Sequence, residues 1–461
     1  MTDSIDHSRA AGPTVDMTVD TDVDTDATAS TASPKRSPMT WVPTLYLAEG
    51  LPFYAVALIA GLMYKSLGVP NDQIARWTGL VGLAWVFKPL WSPFLEAAGS
   101  KKTLVVAFQF ASATGLGLVA LSLQLPAYFA ASVAVLALVA FSAATHDIAA
   151  DGLYIASLSA KQQAAYAGWQ GAFFNAAKFL SLGGLVILAG YFEKHMPVAQ
   201  AWTLIFLMLA ALMAALALYH LWSLPRVRST VAHGAGAAGI AATLWDVLVD
   251  FFSKPGIWLA ILFIILFRAG EGQIQTIGPL FLREARAAGG LGLTTDEVGW
   301  VYGTAGTVAF LVGSVCGGYF TSWLGLRRAM LALILAVNLP NLVFYFLATA
   351  LPNGLAVIAT ALSLEMFGYG FGFVGVILFI MQVVAPGRYQ TAHYALGTGV
   401  MQLGFVFFKM ISGDIQLALG YQRFFLWVLV SAIPVLVLAR FVPLGKERAA
   451  EAAAPVHAAE A

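Results

Sequence analysis

The sequence predicts an all-α polytopic membrane protein with twelve transmembrane helices in two parallel six-helix repeats. Charged residues make up only 11% of the 461 residues and apolar residues 59%, whereas ordinary soluble domains are about one quarter charged. A bilayer span needs about 20 apolar residues, and the chain has room for twelve such spans. A third observation is an internal sequence repeat, which divides the spans into two halves. A soluble enzyme, a nucleic-acid-binding protein and a disulfide-rich secreted domain are thereby excluded.

The distribution of polar and apolar residues divides the chain into five segments. We expect a disordered acidic tail at 1–40, a six-helix bundle at 41–224, a cytoplasmic linker at 225–255, a second six-helix bundle at 256–444 and a cytoplasmic tail at 445–461. The first tail is rich in aspartate, serine and threonine and cannot bury enough apolar surface to fold. Within the linker, Leu244, Trp245 and Phe252 form an apolar face. This face is typical of a helix on the membrane surface, and a plain linker is the alternative.

Apolar runs place the twelve spans, and basic residues orient them. In chain order the runs are 41–65, 73–98, 103–124, 127–151, 164–190, 200–223, 256–282, 296–320, 327–350, 354–384, 391–417 and 422–443. Thirteen lysines and arginines flank the spans on the side that carries the termini, against six on the other side. Because cytoplasmic loops carry the excess of basic residues, we expect both termini and the linker in the cytoplasm.

An internal repeat relates the two halves. The segment 92–102 (SPFLEAAGSKK) after the second span and the segment 318–328 (GYFTSWLGLRR) after the eighth share a small residue, an acid or serine, a glycine and a basic pair at identical spacing. Asp72 and Asp296 open the second and eighth spans, and 165–171 in the fifth span is similar to 393–399 in the eleventh. Three matches in order at a nearly constant offset predict two parallel halves.

The repeated loop resembles the signature loop of the major facilitator superfamily, which fastens neighbouring helices on the cytoplasmic face. This resemblance implies the major facilitator fold and alternating access around a central site. It also implies a cytoplasmic latch made by Glu96, Gly99, Lys101, Lys102, Gly325, Arg327 and Arg328. Because Ser322 stands where the second copy would carry its acid, we expect the latch of the C-terminal half to be weaker.

Three longer sequence segments narrow the resemblance to one family within this superfamily. The segments 49–52 (EGLP), 87–93 (FKPLWSP) and 144–152 (ATHDIAADG) are similar to motifs of the AmpG-type muropeptide permeases, in a branch that includes acetyl-CoA transporter-like proteins and siderophore permeases. The resemblance implies a proton-coupled secondary transporter in the cell inner membrane that imports an anionic organic solute such as a muropeptide. A siderophore or acyl-CoA-type permease is the alternative, as is a membrane receptor or signal component without transport.

Motifs of other classes are missing from the sequence. It has no phosphate-binding loop for ATP, no paired-histidine zinc motif and no nucleophile elbow. We therefore expect neither an enzyme nor a cofactor or metal site. The expected partners are a small solute, protons and the lipid bilayer, with no nucleic acid and no obligate protein partner.

Charged residues inside the spans are the candidate site residues, because a charge in the bilayer is costly unless it faces water or the bundle interior. Pairs that merely hold helices together are the alternative. The proton-coupling or gating candidates are Glu49, Asp147, Asp151 and Glu271, of which the family resemblance supports Asp147 and Asp151. The candidates for ion pairs or for binding a substrate anion are Lys88, Lys178, Arg268, Lys409 and Glu365.

Spacing and depth predict partners for several of these residues. We expect Glu49 to pair with Lys88 at similar depth, and Arg268 to share a helix face with Glu271 three residues on. Asp414 is expected to pair with Lys409, and His146 is a candidate for protonation near neutral pH. The Glu271-Gly272 step echoes Glu49-Gly50 in the other half, which points to the centre of the pseudo-symmetric bundle.

Overall fold

The computed structural model describes residues 37–96, 100–226 and 237–442. The acidic tail predicted at 1–40 falls almost entirely outside these residues, as do the middle of the linker and the C-terminal tail. Every regular element in the described part is a helix.

Six helices form the N-terminal half. They are α1 (Pro38–Ser66), α2 (Asn71–Glu96), α3 (Lys101–Ser122), α4 (Tyr128–Ser157), α5 (Ala160–Lys178, Phe179–Leu185 and Val186–Glu193) and α6 (Val198–Ser223). The helix α5 begins with a capping box, in which Ser159 and Gln162 satisfy each other's backbone amides. Ala55–Ile59 in α1 and Phe179–Leu185 in α5 are π-helical, a widening that is frequent at functional sites.

Six helices also form the C-terminal half. They are α7 (Ile257–Arg283), α8 (Thr295–Leu324), α9 (Leu326–Ala350), α10 (Leu355–Val384), and α11 and α12 within Gln390–Ser431 and Ile433–Leu438. The bend between α11 and α12 lies at Gly420, whose φ of 71° and ψ of 168° are outside the helical region. Glycine adopts this positive φ without the steric cost that a Cβ would add.

The helices are long enough to cross a bilayer. Ten helical segments of the described residues are both long and apolar enough, and one of them, Ala392–Leu438, contains α11 and α12 together. The helix α2 is not among the ten, but its 26 residues extend about 39 Å and it packs against α4 and α11. The predicted all-α class with twelve spanning helices in two halves is confirmed, whereas the segment boundaries 41–224 and 256–444 stay a prediction.

The two halves meet most closely where α5 crosses α8 and where α2 crosses α11. A Cβ at Gly303 of α8 would lie 2.0 Å from the carbonyl oxygen of Leu182, and one at Gly413 of α11 would lie 2.4 Å from Cα of Asp72. Only glycine permits these approaches. We call the end of the bundle with the loops at 67–70, 194–197 and 284–294 the distal end, and the end with residues 37–41 the terminal end.

A separate helix, Ala237–Ser253, occupies the described part of the linker. We call it the linker helix. Its Phe251 is buried, whereas Trp245 and Phe252 are exposed, and the ring of Phe252 stacks on Trp258 with centroids 5.4 Å apart. The exposed aromatic side chains agree with the predicted apolar face, and the position of this helix on the membrane surface stays a prediction.

Candidate functional site

Three carboxylates of the N-terminal half meet at one point of the bundle. Glu49 comes from α1, and Asp147 and Asp151 lie one turn apart on the same face of α4. One oxygen of each carboxylate lies within 4.8 Å of the other two. Lys88 of α2 forms an ion pair with Asp147, and the hydroxyl of Tyr46 donates to Asp151 at 2.8 Å. We call Glu49, Asp147 and Asp151 the acid cluster.

The predicted ion pair between Glu49 and Lys88 is wrong, because Lys88 binds Asp147 instead. The helix α2 packs along α4, which directs Lys88 to α4 and not to α1. Within the described part of the chain, Oε2 of Glu49 has no hydrogen-bond partner. The acid cluster thus has three carboxylates for one lysine, and its spacing suits a bound proton or a small metal cation.

The members of the acid cluster differ in their access to solvent. Asp151 is exposed, Glu49 is half-buried and Asp147 is buried. The predicted span 127–151 ends at Asp151. The helix α4 continues to Ser157, so Asp151 lies within the helix and not at its end. Because Asp151 lies near the end of α4, which finishes at Ser157, its exposure indicates that the acid cluster reaches solvent on the side of the terminal end.

A buried polar chain connects four helices of the N-terminal half. Nε2 of Gln109 hydrogen-bonds Nε2 of His146 at 2.9 Å, and Oε1 of Gln109 bonds Nδ1 of His220 at 3.0 Å. Nε2 of His220 in turn bonds the hydroxyl of Thr44 at 3.0 Å. Sequence reasoning missed Gln109 and His220, although both are polar residues inside apolar spans.

The Glu49-Gly50 and Glu271-Gly272 pairs both lie where two helices cross closely. A Cβ at Gly50 would lie 2.6 Å from Cβ of Ala177 in α5, and a Cβ at Gly272 would lie 2.7 Å from the carbonyl oxygen of Phe405 in α11. The helices α5 and α11 are repeat partners. Each glycine therefore permits a close helix crossing, and the preceding acid lies at the level of that crossing.

The C-terminal half carries an ion pair where the N-terminal half carries the acid cluster. Arg268 and Glu271 of α7 form the pair, with side chains only 6% and 3% exposed. The guanidinium lies between two aromatic rings, 5.1 Å from the centroid of Phe373 and 4.8 Å from that of Phe405. Such rings stabilise a desolvated cation. Oε1 of Glu271 has no hydrogen-bond partner among the described residues.

Lys178 reaches from the N-terminal half into the C-terminal half. Its Nζ lies 4.4 Å from the ring centroid of Phe310 in α8, and its strongest electrostatic neighbours are Glu365 and Glu271. Glu365 of α10 is only 2% exposed, and among the described residues its Oε2 has no hydrogen-bond partner. The structure thus brings Lys178, Glu271 and Glu365 together at the interface between the halves.

Lys409 has a different partner from the one predicted. Its Nζ donates to the backbone carbonyl of Ala57 at 3.0 Å, whereas Asp414 forms its ion pair with Arg76 at 2.7 Å. Residues five apart on a helix point about 140° away from each other, so Lys409 and Asp414 face different neighbours. The Lys409 bond joins the two halves at the π-helical segment of α1.

Ion pairs close the distal end. Four pairs join the two halves among the described residues, and all four lie at this end: Lys65–Glu284 at 2.5 Å, Arg76–Asp414 at 2.7 Å, Lys194–Asp296 at 2.7 Å and Arg283–Glu193 at 3.6 Å. Glu284 lies just beyond α7, where burial alone would raise its pKa. The hydrogen bond and charge of Lys65, with a further bond from Tyr421, hold the pKa of Glu284 below its ordinary value.

The predicted latch is only partly described. Gly99 and the side chain of Glu96 lie outside the described residues. Nζ of Lys101 would lie 3.0 Å from a Cβ at Gly152 of α4, and Nζ of Lys102 donates to the carbonyl of Leu224 at 2.9 Å. These contacts tie α3 to α4 and to the end of α6. In the second copy, Gly325 has a φ of 76°, and Arg327 and Arg328 are exposed.

Comparisons with known proteins agree with this arrangement. Residues 44–413 match the family model described as Major Facilitator Superfamily. The anhydromuropeptide permease of Escherichia coli strain K12 is 26% identical over 408 residues, which cover 86% of this chain and 77% of that protein. A transporter named AmpG 4 from Rickettsia felis is 22% identical over 410 residues, covering 86% and 94% of the two chains.

Among solved structures, that of the nucleoside transporter NupG has the same fold. It aligns with a TM-score of 0.65 at 16% sequence identity and covers 89% of this chain and 99% of its own. The chain therefore belongs to the Major Facilitator Superfamily of membrane transporters, and over most of its length it is similar to the AmpG-type muropeptide permeases.

Proposed function

We propose that this protein is a proton-coupled secondary transporter that works by alternating access in the cell inner membrane. It imports an anionic organic solute, such as a muropeptide or an amino-sugar fragment of the cell wall. The observation that carries the proposal is the acid cluster, in which three carboxylates lie together and a lysine pairs with one of them. Similarity to an anhydromuropeptide permease over 86% of the chain supports the substrate class.

Charge balance supports a bound proton at the acid cluster. Three carboxylates within 4.8 Å of one another repel strongly when all are ionised, and a proton shared among them removes one charge. Asp151 is exposed and gives that proton a route to solvent at the terminal end. Coupling then requires that the Lys88–Asp147 pair loosens in the opposite conformation, so that the cluster binds a proton on one side and releases it on the other.

The ion pairs at the distal end support alternating access. They hold the halves together at one end, while the acid cluster opens towards the other. If both termini lie in the cytoplasm, as the basic residues predict, this arrangement corresponds to the inward-facing conformation of the proposed cycle. Breaking these pairs and forming others at the terminal end would produce the outward-facing one.

Separate measurements of accumulation and exchange in proteoliposomes test the coupling. Neutral amide variants at Glu49, Asp147 and Glu271 keep the side-chain shape but cannot titrate. We expect at least one of them to lose accumulation of a labelled muropeptide under an imposed pH gradient while it retains exchange. Asp246→Asn, an exposed change on the linker helix, is the control and should accumulate solute like the parent. If all three variants also accumulate like the parent, their acids are structural ion pairs.

The alternatives give different results with the same vesicles. A siderophore or acyl-CoA-type permease would accumulate those solutes and would not accumulate the muropeptide. A receptor on the transporter fold would bind solute without flux. Uptake of a labelled muropeptide that is competed by an unlabelled amino-sugar fragment, and not by a ferric siderophore, is the result that the proposal predicts.

A further inference from the structure

Lys409 is a buried cation that has no counterion among the residues the structure describes. Its side chain is only 5% exposed in the middle of α11, and within the described part of the chain no carboxylate forms an ion pair with it. Among the described residues its one hydrogen-bond partner is the carbonyl of Ala57, which leaves two of its three N–H donors without a partner there. A desolvated charge of this kind is stable only when another charge compensates it.

Lys409 lines a small cavity between the two halves. Ala57, Gly61 and Thr78 contribute from the N-terminal half, and Gln275 lies opposite them in α7. The space open to the centre of a water-sized particle is about 20 Å³, which suits one water molecule or one monatomic ion.

Gln275 adds a second set of donors to the cavity wall. It is 6% exposed, and its Oε1 already accepts a hydrogen bond from the hydroxyl of Tyr302 at 2.7 Å. Its Nε2 has no partner among the described residues. The ammonium of Lys409 and the amide of Gln275 therefore both present unsatisfied N–H groups to one small space.

We infer that this cavity binds a small monatomic anion of the halide class, with chloride as the physiological ion. A water molecule could accept the same hydrogen bonds, but it would leave the charge of Lys409 uncompensated. An anion satisfies the donors and the charge together. Because the cavity walls come from both halves, the anion stabilises the conformation in which the distal end is closed.

The test is the thermal unfolding of the purified full-length protein at constant ionic strength, in sodium chloride and in sodium gluconate. Chloride should raise the unfolding midpoint with a saturable dose dependence, because a ligand that binds only the folded state stabilises it. Bromide should replace chloride. Lys409→Gln should abolish the chloride response, and Gln275→Leu should weaken the apparent affinity about ten-fold. Arg423→Gln removes one exposed positive charge and should keep the full response.

Identical midpoints of the parent in chloride and gluconate would overturn the inference and assign the cavity to water. A chloride response of Lys409→Gln equal to that of the parent would also overturn it. Should Lys409→Gln not fold, the chloride NMR signal decides the question: the parent should broaden it, Gln275→Leu should need about ten-fold more chloride-binding protein sites or a correspondingly weaker competition by bromide to show the same effect, and no broadening by the parent would overturn the inference. None of these measurements involves the transported solute, so they can fail or succeed independently of the proposed function.

Discussion

Gly303 sets how closely α5 and α8 approach at the distal end, and its replacement by alanine should hold this end open. A Cβ there would lie 2.0 Å from the carbonyl oxygen of Leu182 and 2.7 Å from the amide nitrogen of Gly183. Since a carbon and a carbonyl oxygen normally stay about 3.3 Å apart, the helices must separate by about 1.3 Å. Overpacking of this kind costs about 1–3 kcal/mol, and only the distal-closed conformation bears the cost. The equilibrium should shift towards the distal-open form by about 5- to 150-fold.

Thiol labelling from outside measures this shift. Ser181 is fully buried beside Leu182, so Ser181→Cys in a Cys316→Ser background reports opening of the distal end to a membrane-impermeant reagent. Gly303→Ala should raise the labelling rate at least about five-fold. Gly318→Ala is the control on the same helix, because nothing lies within 4 Å of a Cβ there. Equal labelling rates for Gly303→Ala and Gly318→Ala would refute the steric reasoning.

Three further predictions concern the ion pairs at the distal end, the buried ion pair of α7 and the topology. The lowered pKa of Glu284 means that its stabilising contact is fully present above the ordinary value of about 4.3 and is lost as the pH falls through the folded value. Glu284→Gln removes this charge at neutral pH, where the reactivity of the thiol is unchanged, and should therefore speed the same thiol labelling; an unchanged rate would count against closure of the distal end by its ion pairs. Arg268→Leu leaves Glu271 buried without its ion-pair partner and should destabilise the fold by about 3–5 kcal/mol. Adding Glu271→Gln should recover part of this lost stability in thermal unfolding. No recovery in the double variant would contradict the reasoning. Reporter fusions after residue 195 should read external and those after residue 235 internal, and the opposite pattern would reverse the orientation.

The helices could be predicted from sequence because hydropathy and capping are local properties. The run predicted at 164–190 corresponds to a helix that begins at Ala160 and ends at Glu193, and the capping residue Ser159 accounts for its earlier start. The π-helical segments could not be predicted in this way. One of them, Phe179–Leu185, lies where α5 packs against α8, and no local sequence pattern records such a contact.

Partners of the candidate site residues could be predicted only within one helix. Arg268 and Glu271 are three residues apart, and the structure pairs them as expected. The partner of Lys88 depends on the packing of α2 against α4. Residue depth alone predicted Glu49 as the partner, whereas the structure pairs Lys88 with Asp147. Lys409 bonds a backbone carbonyl of the other half, which side-chain charges in the sequence do not reveal.

Proton movement during solute entry tests the central claim most directly. Weakly buffered proteoliposomes that contain a pH-sensitive dye receive a labelled muropeptide from outside, without an imposed pH gradient. With the parent, the lumen should acidify as the solute enters. With Asp147→Asn, solute exchange should continue without a pH change, and Asp246→Asn should behave like the parent. Entry of solute through the parent at constant internal pH would contradict proton coupling at the acid cluster.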